Sequence, residues 1–356
     1  MIEVGLVGFG LAGKFFHAQV IHAVPGLHLG AILQRTGDEA AKTYPDVHIV
    51  RSLDELLEME SVRFIVIATP NQTHFDFAKR CLEAGRDVVV DKPFTSSVAE
   101  AVELFRIARK CSRTLTVFHS RRFDADFQGL RAFLANCTLG RLVRFEEHYD
   151  RYRPKTKVGA WREIPGPGSG ILFDLGPHLI DHALILFGRP LAISADLRME
   201  RDGAITDDAF DLRLEYPQGM RAQLSATMLS LTPRPRYVVL GNRGSFTKRE
   251  FDPLENALRN SQLSEDHSWR MEREEDWGEA TVRENGETVS SRVASIGDWR
   301  DFYVNVRDVL LGKANLLVTP QQVLDVMVAL ELAQKSAAEK RVVPWRKVQM
   351  EGSSQA

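Results

Sequence analysis

The glycine-rich turn near the start of the chain constrains the fold more than any other feature. The short apolar stretch IEVGLV leads into this turn, and apolar residues at helical spacing follow it. A G-x-G-x-x-G turn between a strand and a helix permits a tight bend, a close approach of pyrophosphate to the backbone, and close packing of the helix. The helix N-terminus adds N–H groups and a positive dipole end. We therefore predict a dinucleotide site at Gly8, Phe9, Gly10, Leu11, Ala12 and Gly13; a turn kept for packing alone is the alternative.

The periodicity of the chain changes near residue 120. Before it, Val- and Ile-rich runs such as RFIVIATP alternate with amphipathic helices, which indicates a parallel sheet covered on both faces. After it, longer alternating segments are joined by turns such as YPQG and GNRG, which is typical of an antiparallel sheet. We predict an α/β protein with an N-terminal Rossmann domain, a doubly wound parallel sheet, over residues 1–120. A C-terminal α+β domain with an open, largely antiparallel sheet is predicted over residues 121–350.

Three segments of the second half have local signals of their own. The stretch from residue 260 to 292 is polar and is expected to form a loop and a surface hairpin. The closing helix is expected to begin with a Thr319 cap and with Pro320 at its first position. The tail MEGSSQA is expected to be disordered.

Composition excludes several classes of protein. Lys and Arg number 46 against 48 Asp and Glu, and the basic residues are scattered, so a nucleic-acid partner is not expected. The cysteines, Cys81, Cys111 and Cys137, show neither metal-ligand spacing nor a pairing pattern, which indicates a reducing compartment. The start of the sequence shows no basic region followed by an apolar region and a cleavage site, so a signal peptide is not expected, and no run of eighteen apolar residues is seen. We expect a cytoplasmic protein without a membrane partner.

Cofactor preference in such a fold is set at the end of the second strand, where a carboxylate would bind the ribose 2'-hydroxyl. This chain has Gln34, Arg35 and Thr36 there. Arg35 suits a 2'-phosphate, so NADP(H) is favoured and NAD(H) stays possible. Arg35 as a solvated surface residue, or as one that stacks on the adenine, is the alternative.

Two later strand ends also belong to the carboxyl edge of the parallel sheet, where ligands bind. ATPNQTH contributes Thr69, Pro70, Asn71 and His74 to the predicted cofactor site, and VVVDKPF contributes Asp91 and Lys92. Pro93 biases Lys92 toward an extended conformation at the ligand edge. Lys92 is either an acid/base or orienting group over a nicotinamide, or a surface charge.

The apolar segment GPGSGILFDLGPHLIDHALILFG contains four ionisable residues, Asp174, His178, Asp181 and His182. Positions four apart share a helix face, so Asp174 and His178 can point at one spot. They could bind a metal, move a proton, or satisfy each other in the core. A zinc site of Asp174, His178 and His182 lacks support from any Cys or second cluster, and we predict no metal.

Four motifs in order, GLVGFGLAGKFFH, ATPNQTH, VVVDKPF and FDLGPH, give the chain its resemblance to the Gfo/Idh/MocA family of oxidoreductases. It looks most like the branch of NADP-dependent scyllo-inositol dehydrogenases. The resemblance implies that Lys92, Asp174 and His178 converge around the substrate carbon beside the nicotinamide. The family's Glu before the lysine is replaced by Asp91, one methylene shorter.

The chemistry of these residue types agrees with the resemblance. In alcohol oxidation His178 would take the hydroxyl proton, and Lys92 would orient the oxygen and stabilise its developing charge. Asp174 would hold the imidazole or bind a neighbouring hydroxyl. By resemblance, Trp161 and Arg162 lie near the nicotinamide.

Substrate contacts are predicted for Arg122, Arg153, Asp174 and His178, and Arg121 could also border the pocket. Surface positions are the alternative for each arginine. We expect no extra cluster of Lys and Arg at the site that would indicate a phosphorylated substrate.

The function predicted from these features is an NAD(P)-dependent dehydrogenase for a secondary alcohol of a cyclic polyol or sugar, such as scyllo-inositol. A cofactor-binding sensor or regulator without turnover is the alternative. The resemblance also implies a homodimer or homotetramer formed through the C-terminal sheet.

Overall fold

A computed structural model of the chain describes residues 1–157, 159–260 and 271–348. Its first sheet consists of six parallel strands: β1 (Ile2–Val7), β2 (Leu27–Leu33), β3 (His48–Val50), β4 (Val62–Ile67), β5 (Asp87–Asp91) and β6 (Leu115–Phe118). Their spatial order is β3-β2-β1-β4-β5-β6. The order reverses between β1 and β4, and sheets of this kind bind ligands at the carboxyl ends of the strands on either side of that reversal.

Helices connect these strands and cover both faces of the sheet. A π-helical segment, Ala12–Ala18, follows the glycine turn and continues into α1 (Gln19–His22). The remaining helices of this half are α2 (Glu39–Thr43), α3 (Leu53–Glu58), α4 (His74–Glu83) and α5 (Val98–Lys110). Ser52 and Ser97 cap α3 and α5 by accepting hydrogen bonds from backbone N–H groups of the first turn, which locates both helix starts.

The register of the first sheet follows from its buried apolar runs. Leu6 of β1 lies opposite Ile32 of β2 on one side and Val66 of β4 on the other. The strands are buried on both faces, as their uninterrupted Val and Ile content requires. This sheet confirms the predicted doubly wound half.

The second sheet has nine strands: β7 (Leu142–Asp150), β8 (Ala192–Arg198), β9 (Ala209–Glu215), β10 (Arg221–Thr227), β11 (Tyr237–Gly241), β12 (Gly244–Lys248), β13 (Gly278–Glu284), β14 (Glu287–Val293) and β15 (Val343–Pro344). Their order is β14-β13-β12-β11-β7-β10-β9-β8-β15, and among these described strands only β7 and β10 pair in parallel. The prediction of a largely antiparallel sheet is confirmed. β13 and β14 form the expected surface hairpin, with Asn285 and Gly286 at positive φ in its turn.

The helices of the second half are α6 (Ala125–Ala135), α7 (Gly170–Phe187), α8 (Leu254–Arg259), α9 (Arg300–Leu310) and α10 (Pro320–Glu339). α10 begins with the predicted cap: Thr319 and Gln322 form a reciprocal capping box, and Pro320 is at the first position. The loop predicted between residue 260 and the hairpin lies partly at 261–270, outside the described residues. The tail MEGSSQA lies outside them as well.

The last third of the chain returns to the first sheet. The Thr116 hydroxyl in β6 donates to the Val318 carbonyl at 2.8 Å, and the Phe118 ring lies 5.4 Å from that of Tyr303 in α9. A division of the chain at residue 120 therefore stays a prediction, because α9 and α10 pack on both halves.

A buried ion pair joins the segment that leaves the first sheet to α7 near the site. Arg122, just after β6, donates to both carboxylate oxygens of Asp181 in α7, at 2.6 and 2.7 Å. Its other terminal nitrogen donates to the Leu317 carbonyl and to Gln322. Both charged side chains are at most 5 % exposed, so water solvates neither charge, and each charge is stabilised by the other.

Replacing Asp181 with Ala should therefore destabilise the protein by about 3–5 kcal/mol, because Arg122 would be left buried without a counter-charge. Chemical denaturation would measure this. The matched control is Asp38→Ala, which removes a carboxylate from an exposed pair with Lys42 and should change the free energy of unfolding by no more than about 0.5 kcal/mol. Equal effects of the two substitutions would contradict the structural role of the pair.

Candidate active site

The carboxyl edge of the first sheet and the start of α7 enclose a cavity of about 600 Å³. Thirteen of the residues predicted for the site or its border line it: Gly10, Leu11, Ala12, Thr69, Pro70, Asn71, Asp91, Lys92, Arg121, Arg153, Arg162, Asp174 and His178. A volume of this size suits a small-molecule site. The cavity therefore brings together the glycine turn, two strand ends and the helix of the second half.

The three glycines of the turn have different physical reasons to be glycine. Gly8 has φ of +99°, and a Cβ there would lie 2.8 Å from the Ala68 carbonyl oxygen. A Cβ at Gly13 would lie 2.0 Å from the Gly8 carbonyl oxygen, so the helix can close on the strand only without one. At Gly10 a Cβ would meet nothing within 4 Å. Gly10 thus leaves open space beside the cavity, as a backbone approached by a ligand requires. Phe9 packs its ring into the core and can serve a ligand only through its backbone.

The segment 69–74 after β4 both lines the cavity and holds neighbouring backbone in place. Asn71 is buried in the cavity wall, where its amide donates to the Gly168 carbonyl at 3.0 Å and its side-chain oxygen has no partner among the described residues. His74 does not line the cavity. Its ring nitrogens lie 2.9 Å from the carbonyl oxygens of Pro93 and Thr69, so His74 holds the two strand ends together.

The residues predicted to set cofactor preference lie at the end of β2, away from the lined cavity. Gln34 accepts a hydrogen bond from the Ala40 N–H at 2.9 Å, and Arg35 and Thr36 are exposed. Arg51 donates to the carbonyl oxygens of Gln34 and Gly37, both at 2.7 Å, which brings a second guanidinium to this loop. The loop thus presents positive charge to any group bound beyond β2.

Lys92 connects the two halves at the centre of the cavity. It follows β5, and the Lys92–Pro93 peptide is cis. Its Nζ donates to the backbone carbonyl of Asp174 at 2.6 Å and to the carboxylate at 3.1 Å. Arg162 lies 3.1 Å from the same carboxylate oxygen. Burial opposes ionisation of Asp174, but the positive charges of Lys92, Arg162 and Arg151 hold its pKa below the ordinary value. Asp174 is therefore an ionised hydrogen-bond acceptor.

His178 lies one helical turn after Asp174 and lines the same cavity. Burial, and then the positive charges of Lys92 and Arg121, lower its pKa well below 6.5. Its Nδ1 is enclosed and has no hydrogen-bond partner among the described residues. The imidazole is consequently neutral at neutral pH, which is the form that can accept a proton.

Asp91 supports Lys92 from behind. One carboxylate oxygen accepts the Lys92 backbone N–H at 2.8 Å, and the other lies 3.8 Å from Nε2 of the buried His17. The other nitrogen of that ring is 2.5 Å from the Tyr303 hydroxyl. Burial opposes ionisation of Asp91, while His17 and Lys92 lower its pKa. The shorter side chain at position 91 thus bridges the helix of the glycine turn and the strand end that presents Lys92.

The other two ionisable residues of α7 are structural. Asp181 pairs with Arg122, as described above. His182 stacks on Phe127 at 3.8 Å, and its nitrogens lie 2.9 Å from Glu147 and 3.1 Å from the Arg121 carbonyl oxygen. Both nitrogens of His182 are thus engaged, and no group of three metal-ligand side chains occurs in the part of the chain that the structure describes. These contacts give no support to a zinc site of Asp174, His178 and His182.

The outcome differs among three of the predicted contacts, Arg122, Trp161 and Arg153. Arg122 is not among the residues that line the cavity, because its guanidinium is held by Asp181, so the geometry does not support its predicted contact with substrate. Trp161 begins a short helical turn, Trp161–Glu163, but its side chain lies outside what the structure describes. Arg153 does line the cavity.

Sequence reasoning missed several lining residues. Arg151, Glu255 and Arg259 line the cavity from the end of β7 and from α8. The paired arginines of DRYRP were a signal for Arg151. Nothing in the sequence around Glu255 and Arg259 relates them to residues more than a hundred positions earlier.

The residues present fit a nicotinamide nucleotide. The open space at Gly10, the unpartnered Asn71 oxygen and the helix N-terminus at Ala12 provide places for a pyrophosphate and for polar groups of the nucleotide. The neutral His178 and Lys92 line the same cavity. This arrangement can bind a nucleotide beside an alcohol and move a proton from it.

α7 is long and apolar enough to cross a membrane, the one such helix found among the described residues, but most of it is buried inside the protein. The sequence of α7 is not a run of eighteen consecutive apolar residues, because it is interrupted by four ionisable residues, Asp174, His178, Asp181 and His182. Its burial against the protein core accounts for its composition.

Comparison with known proteins identifies two family matches. The model described as "Oxidoreductase family, NAD-binding Rossmann fold" matches residues 2–119, and the "GFO/IDH/MocA C-terminal domain" matches residues 127–247. The oxidoreductase YdgJ of Escherichia coli is 41% identical over 95% of this chain and 97% of its own length. The scyllo-inositol 2-dehydrogenase (NADP(+)) IolW of Bacillus subtilis is 31% identical over 96% and 95%. A solved oxidoreductase structure from Yersinia pestis is 36% identical, with a TM-score of 0.92 over 98% of both chains.

The different roles of Gly10 and Gly13 lead to opposite expectations for their alanine variants. Gly13→Ala should destabilise the protein by about 1–3 kcal/mol, because its Cβ would overlap the Gly8 carbonyl. Gly10→Ala should leave the free energy of unfolding nearly unchanged and weaken nucleotide binding at least about tenfold, a loss of about 1.4 kcal/mol. Denaturation and fluorescence titration with NADPH measure the two effects. Wild-type nucleotide affinity in Gly10→Ala would mean that the turn serves packing alone.

Proposed function

The chain belongs to the Gfo/Idh/MocA family of oxidoreductases and is an NAD(P)-binding oxidoreductase, and on this basis we propose that it is a dehydrogenase of a secondary alcohol in a polyol or sugar. The observation that carries the proposal is the neutral, buried His178 beside Lys92 and Asp174 in one cavity with the glycine turn. The relative IolW, a scyllo-inositol 2-dehydrogenase, supports a cyclic polyol as one form of the substrate.

The three side chains divide the chemistry among them. The nicotinamide nucleotide, when bound, accepts hydride from the alcohol carbon or returns it to a ketone. His178 takes the hydroxyl proton, since its pKa keeps the imidazole neutral at physiological pH. Lys92 donates a hydrogen bond to the same oxygen and stabilises the negative charge that develops there.

Asp174 has a positioning role in this proposal. Its carboxylate is ionised and already contacts Lys92 and Arg162, so it keeps the ammonium group at the cavity and can accept a hydrogen bond from a neighbouring substrate hydroxyl. The backbone carbonyl of Asp174 also accepts a hydrogen bond from Lys92 Nζ, which fixes the ammonium group at this position a second time.

We further propose NADP(H) as the preferred cofactor. Arg35 and Arg51 place two guanidinium groups at the loop after β2, and the residues that directly follow β2 include no carboxylate. A 2'-phosphate is favoured by such a loop, whereas a free 2'-hydroxyl gains little from it. The NADP(+) named for IolW is consistent with this preference.

Assembly and location complete the proposal. The outward face of the nine-stranded sheet carries exposed or half-exposed side chains such as Asp211 and Arg213, and it is the surface through which we propose a homodimer or homotetramer. The three cysteines are free, which supports a reducing compartment, and we propose the cytoplasm.

His178→Ala tests the catalytic assignment. It should reduce alcohol oxidation by roughly 10²- to 10⁴-fold, the usual contribution of one positioned acid/base group. NADPH affinity and melting temperature should change little, because the side chain faces the cavity. Initial rates of nicotinamide reduction, with scyllo-inositol, myo-inositol and aldoses as substrates, measure the effect. The control His28→Ala removes an exposed imidazole far from the cavity and should keep wild-type rates.

The pH profile provides a second readout of His178. Because burial and neighbouring cations lower its pKa, its basic form persists as the pH falls through 6.5, so the acid limb of kcat/KM should lie below that value. Unchanged oxidation by His178→Ala would contradict the assignment. A wild-type protein that binds nucleotide but oxidises neither these alcohols nor their uronate and phosphate derivatives would favour a sensor instead.

Arg35→Asp tests the cofactor proposal. Wild-type protein should bind NADP(H) several-fold more tightly than NAD(H), and the variant should lose or reverse that preference, since a carboxylate would meet the 2'-phosphate. Titration of both nucleotides into both proteins gives the four dissociation constants. Equal affinities in the wild-type protein would refute the preference.

A further inference from the structure

A cluster of cationic side chains lines the cavity. Asp174 contacts Lys92 and Arg162, each at 3.1 Å. Glu255, in α8, contacts Arg259 at 2.7 Å and also Arg121. Each of these two carboxylates is thus already shared between two cations. The expectation that no cluster of Lys and Arg forms at the site is wrong, because the fold gathers residues that are scattered in the sequence.

Two more guanidinium groups, those of Arg151 and Arg153, line the same cavity. Neither has a carboxylate within 4.0 Å among the described residues. The hydrogen-bond partner found for the Arg151 guanidinium is the Tyr149 hydroxyl at 3.0 Å, and none is found for Arg153 in the same part of the chain. Partial burial, and then the charges of Arg151 and Arg259, lower the pKa of Arg153, while Asp174 and Glu255 oppose this shift.

The backbone holds this pair in place. Arg151 and Arg153 follow β7, and their N–H groups donate to the carbonyl oxygens of Thr227 at 2.9 Å and Met228 at 2.7 Å. In an extended segment, residues two apart point to the same side. The side chains of Arg151 and Arg153 therefore extend from a hydrogen-bonded segment toward the cavity. The side chain of Tyr152, between them, is exposed.

The other carboxylates that line the cavity do not neutralise this pair. Glu163 and Asp208 contact Arg201 at 3.2 and 2.8 Å. Asp207 accepts the N–H of Leu172, at the first turn of α7. Asp91 faces His17 and the backbone of Lys92.

From this arrangement we propose that the alcohol substrate carries an oxyanion, a carboxylate or a phosphate, that binds Arg151 and Arg153. The inference rests on the proposed dehydrogenase function and narrows its substrate class to acidic or phosphorylated polyols and sugars. In the proposed nucleotide site the phosphates bind at the glycine turn and the loop after β2, whereas Arg151 and Arg153 come from the second half of the chain. A guanidinium pair suits an oxyanion because it donates several charge-assisted hydrogen bonds in fixed directions.

A matched series of substrates tests the proposal. Glucose, glucuronate and glucose 6-phosphate, and myo-inositol with its monophosphate, are supplied with saturating NADP⁺, and nicotinamide reduction is followed. At least one anionic member should exceed its neutral parent in kcat/KM by roughly 10- to 100-fold. The uronate and phosphate arms distinguish the two kinds of oxyanion.

Arginine variants assign the selectivity to the pair. Arg151→Gln and Arg153→Gln should each lower the anionic-to-neutral ratio of kcat/KM about tenfold, and Arg153→Lys should retain more of the ratio than Arg153→Gln. NADPH affinity should stay within about twofold of wild type. The control Arg106→Gln removes a guanidinium from the surface of α5 and should keep the wild-type ratio.

The outcomes separate the two proposals. Neutral members oxidised as well as anionic ones, with a ratio insensitive to both variants, would overturn the oxyanion proposal and leave the dehydrogenase standing. A loss of NADPH affinity in the variants would likewise overturn it, because the arginines would then serve the nucleotide. If no alcohol is oxidised, calorimetry of the NADPH complex with glucuronate and glucose 6-phosphate decides. Binding that the Gln variants abolish would support the oxyanion site, although the dehydrogenase proposal would fail. Absence of binding would overturn both proposals.

Discussion

The contact between Lys92 and Asp174 is the constraint on which the rest of the site depends. It joins the end of β5 in the first sheet to α7 in the second half, so the cavity exists only when both halves are folded against each other. Behind it, Asp91 and His17 connect the same lysine to the helix of the glycine turn. The buried pair of Arg122 and Asp181 fixes the segment after β6 to α7, two turns further along that helix. These contacts fix the position of the glycine turn relative to α7.

One helix serves both purposes because its ionisable residues are divided by position. Asp174 and His178 line the cavity, whereas Asp181 and His182 bind Arg122 and Glu147 in the interior. The same burial acts differently on the two cavity residues. Contacts with cations keep Asp174 ionised, and the nearby cations add to burial in keeping His178 neutral. The pair therefore offers a stable anion and an available base at neutral pH.

The features predictable from sequence were those set by local periodicity and turn chemistry. The alternation of strands and helices, the glycine turn, the i to i+4 spacing of Asp174 and His178, and the capping box of α10 each depend on residues close in the chain. Arg151, Glu255 and Arg259 meet only because β7 and α8 converge, and sequence spacing contains no signal for that approach. For the same reason the sequence could not show that Asp181 holds Arg122 away from the cavity, or that His74 links two strand ends.

The central claim is that this cavity transfers hydride between an alcohol carbon and a nicotinamide while His178 takes the hydroxyl proton. Its most direct test uses a substrate of the protein deuterated at the reacting carbon, with mass spectrometry of the reduced nucleotide. The account predicts one carbon-bound deuterium in each reduced nicotinamide, together with slower turnover than with the unlabelled alcohol. Reduced nicotinamide that contains hydrogen from solvent and no deuterium would contradict it.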